Sequence, residues 1–77
     1  MQHLTETEIE HLIATRSDQE WIKMAQSISE PRFNDMRDIT RQQIQFILAM
    51  WHIKGRLSDS QRHSLVRLLL ENWQELQ

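Results

Sequence analysis

The chain has 77 residues, no cysteine, one glycine, one proline and a net charge of −2. A chain of this size makes one domain with a marginal core, burying roughly 60% of its extended surface, and without cysteine it has no disulfide or thiolate metal site to brace it. Its 39% apolar and 26% charged content is that of a folded protein rather than a disordered one, and so little glycine and proline leaves scant material for hairpins.

Met1-Gln2-His3-Leu4 lacks the basic region and apolar run of a signal peptide, and no stretch approaches the ~18 apolar residues of a membrane span. A cytoplasmic chain with no membrane partner is expected. Four segments fit the helix-start pattern Ser/Thr-x-x-Glu/Gln: Thr5 to Glu8, Ser17 to Glu20, Thr40 to Gln43 and Ser58 to Gln61. In that pattern the hydroxyl accepts the backbone N–H three residues on, and the Glu or Gln reaches back to the cap's own N–H. Leu4 with Ile9, and Ile39 with Ile44, add possible hydrophobic staples.

The first helix is predicted from about Glu6 to Thr15, with Ile9, Leu12 and Ile13 as a narrow apolar stripe and three glutamates near its positive end. The second starts after Ser17 and runs to about Ser29, with Trp21, Met24, Ala25 and Ile28 on one face. Glu30-Pro31 stops it, because a residue before proline is pushed out of the α region. A short extra helical turn is expected near 31–38, where Phe33, Met36 and Ile39 are spaced three apart. The third helix, about Arg41 to Lys54, reads as the core element. Ile44, Ile47, Leu48 and Trp51 form one apolar face, and Phe46, Met50 and Ile53 a second one, roughly at right angles. Gly55 ends it in the position where a left-handed residue commonly terminates a helix. The fourth helix then runs from Ser58 to about Glu75 through Leu65, Val66, Leu68, Leu69, Leu70 and Trp73. The third and fourth helices are an expected αα-hairpin, and the whole is a single all-α domain over 1–77, a compact bundle of about four helices.

Charge is segregated. Residues 1–30 hold six acids against two bases, and residues 31–67 seven bases against three acids. Such a split points either to a face for an acidic partner or nucleic acid, or to two halves that complement each other.

Catalytic chemistry finds no footing. Glu8-x-x-His11 has the spacing of a carboxylate-bridged di-metal bundle, but it occurs once and Glu8 belongs to a capping pattern. His3, His11, His52 and His63 include no His-x3-His pair, and nucleophile elbows and phosphate loops are missing from the sequence. The chain is expected to be no enzyme and to use neither metal nor cofactor.

The expected function is therefore a protein–protein interaction module, a homodimer that binds and modulates, in one version inhibits, a larger protein. Arg56, Arg62, Arg67 and Lys54 are the expected partner contacts. Phe46, Met50 and Ile53 form the expected dimer interface, because a fold this small covers only one apolar face of the third helix. Trp21, Trp51 and Trp73 are expected in the core, with some aromatic area left for a protein contact. The alternative is a small DNA-binding regulator in which 50–67 acts as a helix-turn-helix, presenting Ser60, Gln61 and Arg62, with His63 next in line, to the major groove and Lys54 and Arg56 to phosphates.

Overall fold

The computed structural model describes residues 5–28 and 36–72. These form four helices: α1 (Glu6–Thr15), α2 (Asp18–Gln26), α3 (Asp38–Lys54) and α4 (Asp59–Asn72). The architecture is a small all-α bundle. Its radius of gyration of 11.7 Å is close to the roughly 11.5 Å of a compact fold of this length.

Local chemistry sets three of the four helix starts. The Thr5 hydroxyl accepts Glu8 N–H at 3.2 Å while Glu8 accepts Thr5 N–H at 3.4 Å. Ser58 and Gln61 form the same reciprocal pair at 3.1 and 3.0 Å. At Ser17 the hydroxyl accepts Glu20 N–H at 3.3 Å, and the Glu20 carboxylate reaches Arg16 instead, 3.9 Å away. Each bond satisfies one of the N–H groups that a helix start leaves without a partner.

The fourth pattern is a decoy. α3 starts at Asp38, with Arg37 as its N-cap in extended backbone (φ −68°, ψ 149°) and no side-chain cap. Arg41 N–H already bonds the Arg37 carbonyl at 3.0 Å, so Thr40 lies within the first turns rather than ahead of them. Nor does the expected Ile39–Ile44 staple apply: both residues are helical, Ile44 fully buried and Ile39 exposed. The other staple partner, Leu4, lies outside the described residues.

α2 is shorter than its apolar spacing suggests. It ends at Gln26, where the Ser27 hydroxyl donates to the Met24 carbonyl at 2.7 Å. Ser27 and Ile28 N–H close tight three-residue turns onto Met24 and Ala25. A serine that bonds local carbonyls competes with continuation of the helix. Most of the expected turn near 31–38 lies outside the described residues, as do Phe33 and Trp73. Of its described end, Met36 and Arg37 are non-helical and Asp38 already belongs to α3.

The central element is α4, not α3. α4 packs against α1, α2 and α3, whereas α3 meets only α2 and α4 extensively. Leu65, Val66 and Leu69 are wholly buried, Leu70 nearly so, and they meet Ile9, Trp21, Ile22, Ala25, Ile44 and Ile47 in one core. Full burial of each such side chain stabilises by roughly 1.5–3 kcal/mol. Met36 and Leu57 add side chains from the connections, so the α3–α4 turn is pinned to the core as well as to its helices. Gly55 makes that turn in the left-handed region, φ 71°.

Candidate functional site

The side of α3 turned away from the core carries three large apolar side chains in water. Ile39, Phe46 and Ile53 are 55%, 63% and 75% exposed, while Ile44 and Ile47 on the same helix are buried. Two isoleucines nine residues apart on α3, Ile44 and Ile53, thus have opposite environments. A spacing of seven keeps a row nearly parallel to a helix axis, drifting only about 20° per step, so the three side chains form one ridge. Exposed Ala49 and half-buried Met50 flank it. Isolated exposed apolar residues are ordinary on a soluble protein; three large ones in a single row make this face of α3 the candidate contact surface, with exposed Gln42 and Gln43 standing between Ile39 and Phe46.

Of the expected interface residues, Phe46 and Ile53 sit on this ridge and Met50 on its shoulder. Ile39 was missed by sequence reasoning, which spent it on a staple ahead of the helix. The seven-residue spacing Ile39, Phe46, Ile53 was the available signal. The ridge also lies across α3 from the core, not at right angles to it. Met36 is buried in the core.

Beside Phe46 the surface between α3 and α4 opens into a groove of about 340 Å³, with Gln43, Phe46 and Ile47 on one bank and Ser64, Arg67 and Leu68 on the other. Phe46, Ile47 and Leu68 give it an apolar lining.

The four basic residues expected to meet a partner divide into two pairs. Arg62 makes a two-pronged salt bridge across the fold to Asp18, with Nε to Oδ1 at 2.7 Å and Nη2 to Oδ2 at 2.9 Å. Its Nη1 also reaches Asp59 Oδ1 at 2.9 Å, and Nη2 donates to the Leu57 carbonyl at 3.4 Å. The Arg62 hydrogen bond holds the Asp18 carboxyl below the usual carboxylate range; burial opposes this and the Arg62 charge adds to it. Arg67 pairs with Glu6. These two links carry acids of α1 and α2 onto bases of α4, so part of the charge split is answered inside the fold.

Lys54 and Arg56 form the exposed pair. They stand at the α3–α4 turn around an open hollow of about 360 Å³, shared with Leu57, Ser58, Asp59 and Gln61. The Asp59 carboxylate in that rim works against an anionic ligand.

Among the described residues no three His, Asp or Glu side chains converge as metal ligands would, and Glu8 is engaged at the Thr5 cap. His63 lies 3.9 Å from Glu10 and bonds the Asp59 carbonyl at 3.0 Å. Trp21 is fully buried beneath Arg16, whose guanidinium lies 5.3 Å from the ring centroid. Its indole N–H has no acceptor among the described residues. Trp51 packs on the core half-buried. No helix among the described residues is long and apolar enough to cross a membrane. No known family, curated protein or solved structure matches the chain.

Proposed function

We propose that this chain is a non-enzymatic protein–protein interaction module that docks through the outer ridge of α3 and modulates a larger partner in the cytosol. The ridge Ile39, Phe46, Ile53 carries the reading. Three large side chains held in water by a helix whose other face is buried offer a contact at little ordering cost, since α3 is already fixed. Aromatic anchors beside a groove are the usual energetic centre of such contacts. Lys54 and Arg56, exposed at one end of α3, supply charge for orienting an acidic partner.

Duplex DNA draws less support. In a helix-turn-helix reading, Gln61 and Arg62 would face the bases, yet Gln61 caps Ser58 and Arg62 is spent on Asp18 and Asp59.

The test is affinity capture from host lysate with two baits, wild type and Phe46→Ser/Ile53→Ser. The double variant is expected to keep its helicity and lose a protein that wild type retains. Identical capture profiles would overturn the reading. A duplex affinity that falls steeply with salt, in a gel shift with wild type, would favour DNA instead.

A further inference from the structure

We propose that the groove between α3 and α4 receives a short acidic helix of the larger partner, with apolar side chains seated between Phe46 and Leu68 and carboxylates at the Lys54–Arg56 end. This rests on the reading of the outer side of α3 as a protein contact and names the kind of segment that docks there.

The apolar groove beside Phe46 and the open hollow at the α3–α4 turn meet at Gln61, which lines both. On α3, Gln43, Ile47, Met50 and Lys54 follow one another at steps of four, three and four, a spacing that stacks side chains along one side of a helix. Gln43 and Ile47 line the groove and Lys54 the hollow, so this row is one bank of a continuous trough. Its length is about 17 Å, eleven residues of helix rise. Ser60, Ser64 and Leu68, four apart on α4, make the facing bank. Phe46 stands on the rim and joins the trough to the exposed ridge.

The charges along the trough are uneven. Arg67, toward the far end, is answered by Glu6. At the turn, Asp59 and Asp18 are both held by Arg62, while Lys54 and Arg56 are exposed and have no acid partner among the described residues. Three cations, Lys54, Arg56 and Arg62, against two acids leave that end net positive. The exposed glutamates Glu6, Glu8, Glu10 and Glu20 lie on α1 and α2. An acidic segment is therefore repelled by the first two helices and drawn to the turn.

The helical form follows from what the banks offer. An extended segment binds by adding its main chain to a sheet edge, and the described residues contain no strand. Gln61, the side-chain amide at the middle of the trough, is already engaged with Ser58. A helix satisfies its own backbone and needs only an apolar stripe at spacings of three and four to sit against Phe46, Ile47 and Leu68. Two helices joined by a short turn leave a channel in which a third packs at about 8–10 Å, and the small, exposed Ser60 and Ser64 let it come close. Three turns fill the length. Duplex DNA and anionic membrane fit less well, because a single net positive charge at one end is not the succession of basic contacts that either surface draws on.

The test screens the full chain, immobilised, against a display library of random peptides of about sixteen residues, long enough for those three turns. Enriched peptides should carry large apolar residues at spacings of three and four, with Asp or Glu gathered at one end. A synthetic copy of the most enriched one should bind with a Kd of roughly micromolar. Ser64→Arg, which fills the groove from an exposed position, should weaken that binding at least tenfold, and so should Lys54→Glu/Arg56→Glu. Changing the acids of the peptide to Lys should restore binding to the second of these variants. Lys23→Glu, exposed on α2, should leave affinity within about twofold. No enrichment, enrichment without acids, or a Lys54→Glu/Arg56→Glu variant that binds as wild type does would overturn the acidic helix. So would amide resonances of Ser64 and Leu68 that move when the chain alone is concentrated, since a second copy would then hold the groove. The two readings fail separately. An empty library beside a capture that still distinguishes Phe46→Ser/Ile53→Ser removes the helix and keeps the ridge, whereas identical capture by both baits removes the ridge as a contact.

Discussion

α3 is the more apolar of the two long helices, with nine apolar residues in 17 against five in 14 for α4, yet it buries two of them where α4 buries four. α4 turns Leu65, Val66, Leu69 and Leu70 into a core shared by the other three helices, and leaves no large apolar side chain in the open among its described residues. α3 buries Ile44 and Ile47 and holds Ile39, Phe46 and Ile53 out in water. The difference is one of neighbours: α4 has helices around it, whereas α3 lies at the edge of the bundle. Apolar composition shows that a helix has surface to bury; the packing of the whole chain decides whether that surface is covered from within or left for another molecule.

The sharpest way to break this contrast is a pair of equal truncations. Leu69→Ala should cost about 2–5 kcal/mol, because it removes a fully buried side chain and leaves a cavity among three helices. Against a total stability of roughly 4–12 kcal/mol for a chain this long, much of the fold is at stake. Ile53→Ala should change monomer stability by no more than about 0.5 kcal/mol. Urea melts of dilute protein measure both, and comparable losses would mean that the α3 ridge is covered in the monomer.

Sequence patterns made α4 plainer than α3. The caps at Thr5, Ser17 and Ser58 stand just ahead of an apolar run, and each is realised in hydrogen bonds. Thr40 offers the same letters, but a Thr-x-x-Gln within a helix looks no different, and nothing local to it records that Asp38 and Ile39 are already helical. Which helix is central was illegible for a related reason: centrality depends on where α1 and α2 settle, and amphipathic spacing within α3 says nothing about that. The ridge was half visible through Phe46, Met50 and Ile53, and Ile39 vanished from it once the helix was started too late. Long-range pairing was the least visible feature. Arg62 meets Asp18 across forty-four residues and Arg67 meets Glu6 across sixty-one, and the charge split admitted an exposed basic face as readily as these internal bridges.

A smaller effect sharpens the comparison at the helix starts. Ser58→Ala should destabilise by about 1 kcal/mol, since the hydroxyl that accepts Gln61 N–H is lost. Thr40→Ala should be neutral or slightly stabilising, because alanine is the better residue inside a helix. Thermal melts of the two variants test this, and equal losses would place a cap at Thr40 after all.

The smallest expected effect lies in how α4 is tied to α2. Asp18 has its folded pKa lowered by Arg62. The bridge therefore adds stability above the unfolded aspartate value of about 3.9, and that contribution is lost as pH falls through the lower folded value. Asp18→Asn should cost up to about 1 kcal/mol at neutral pH. The gap between wild type and variant should close in the acid window below about pH 4, where wild type has also lost the charge. Denaturant melts across that range measure it; a gap that stays constant would show that the carboxylate's charge is not what stabilises the fold.

The turn that separates these two helices also sets a stereochemical limit. At Gly55 an added L β-carbon would meet nothing within 4 Å, so space does not reserve the position for glycine. Its φ of 71° does, because an L-residue there brings its β-carbon against its own carbonyl at about 1–2 kcal/mol. The α3–α4 connection thus takes its handedness at an achiral residue. Ribosomal substitution can only strain it, whereas a D-amino acid has its own energy minimum at this φ and would narrow the freedom of the unfolded chain. The turn is one that chemical synthesis can tighten and the genetic code cannot.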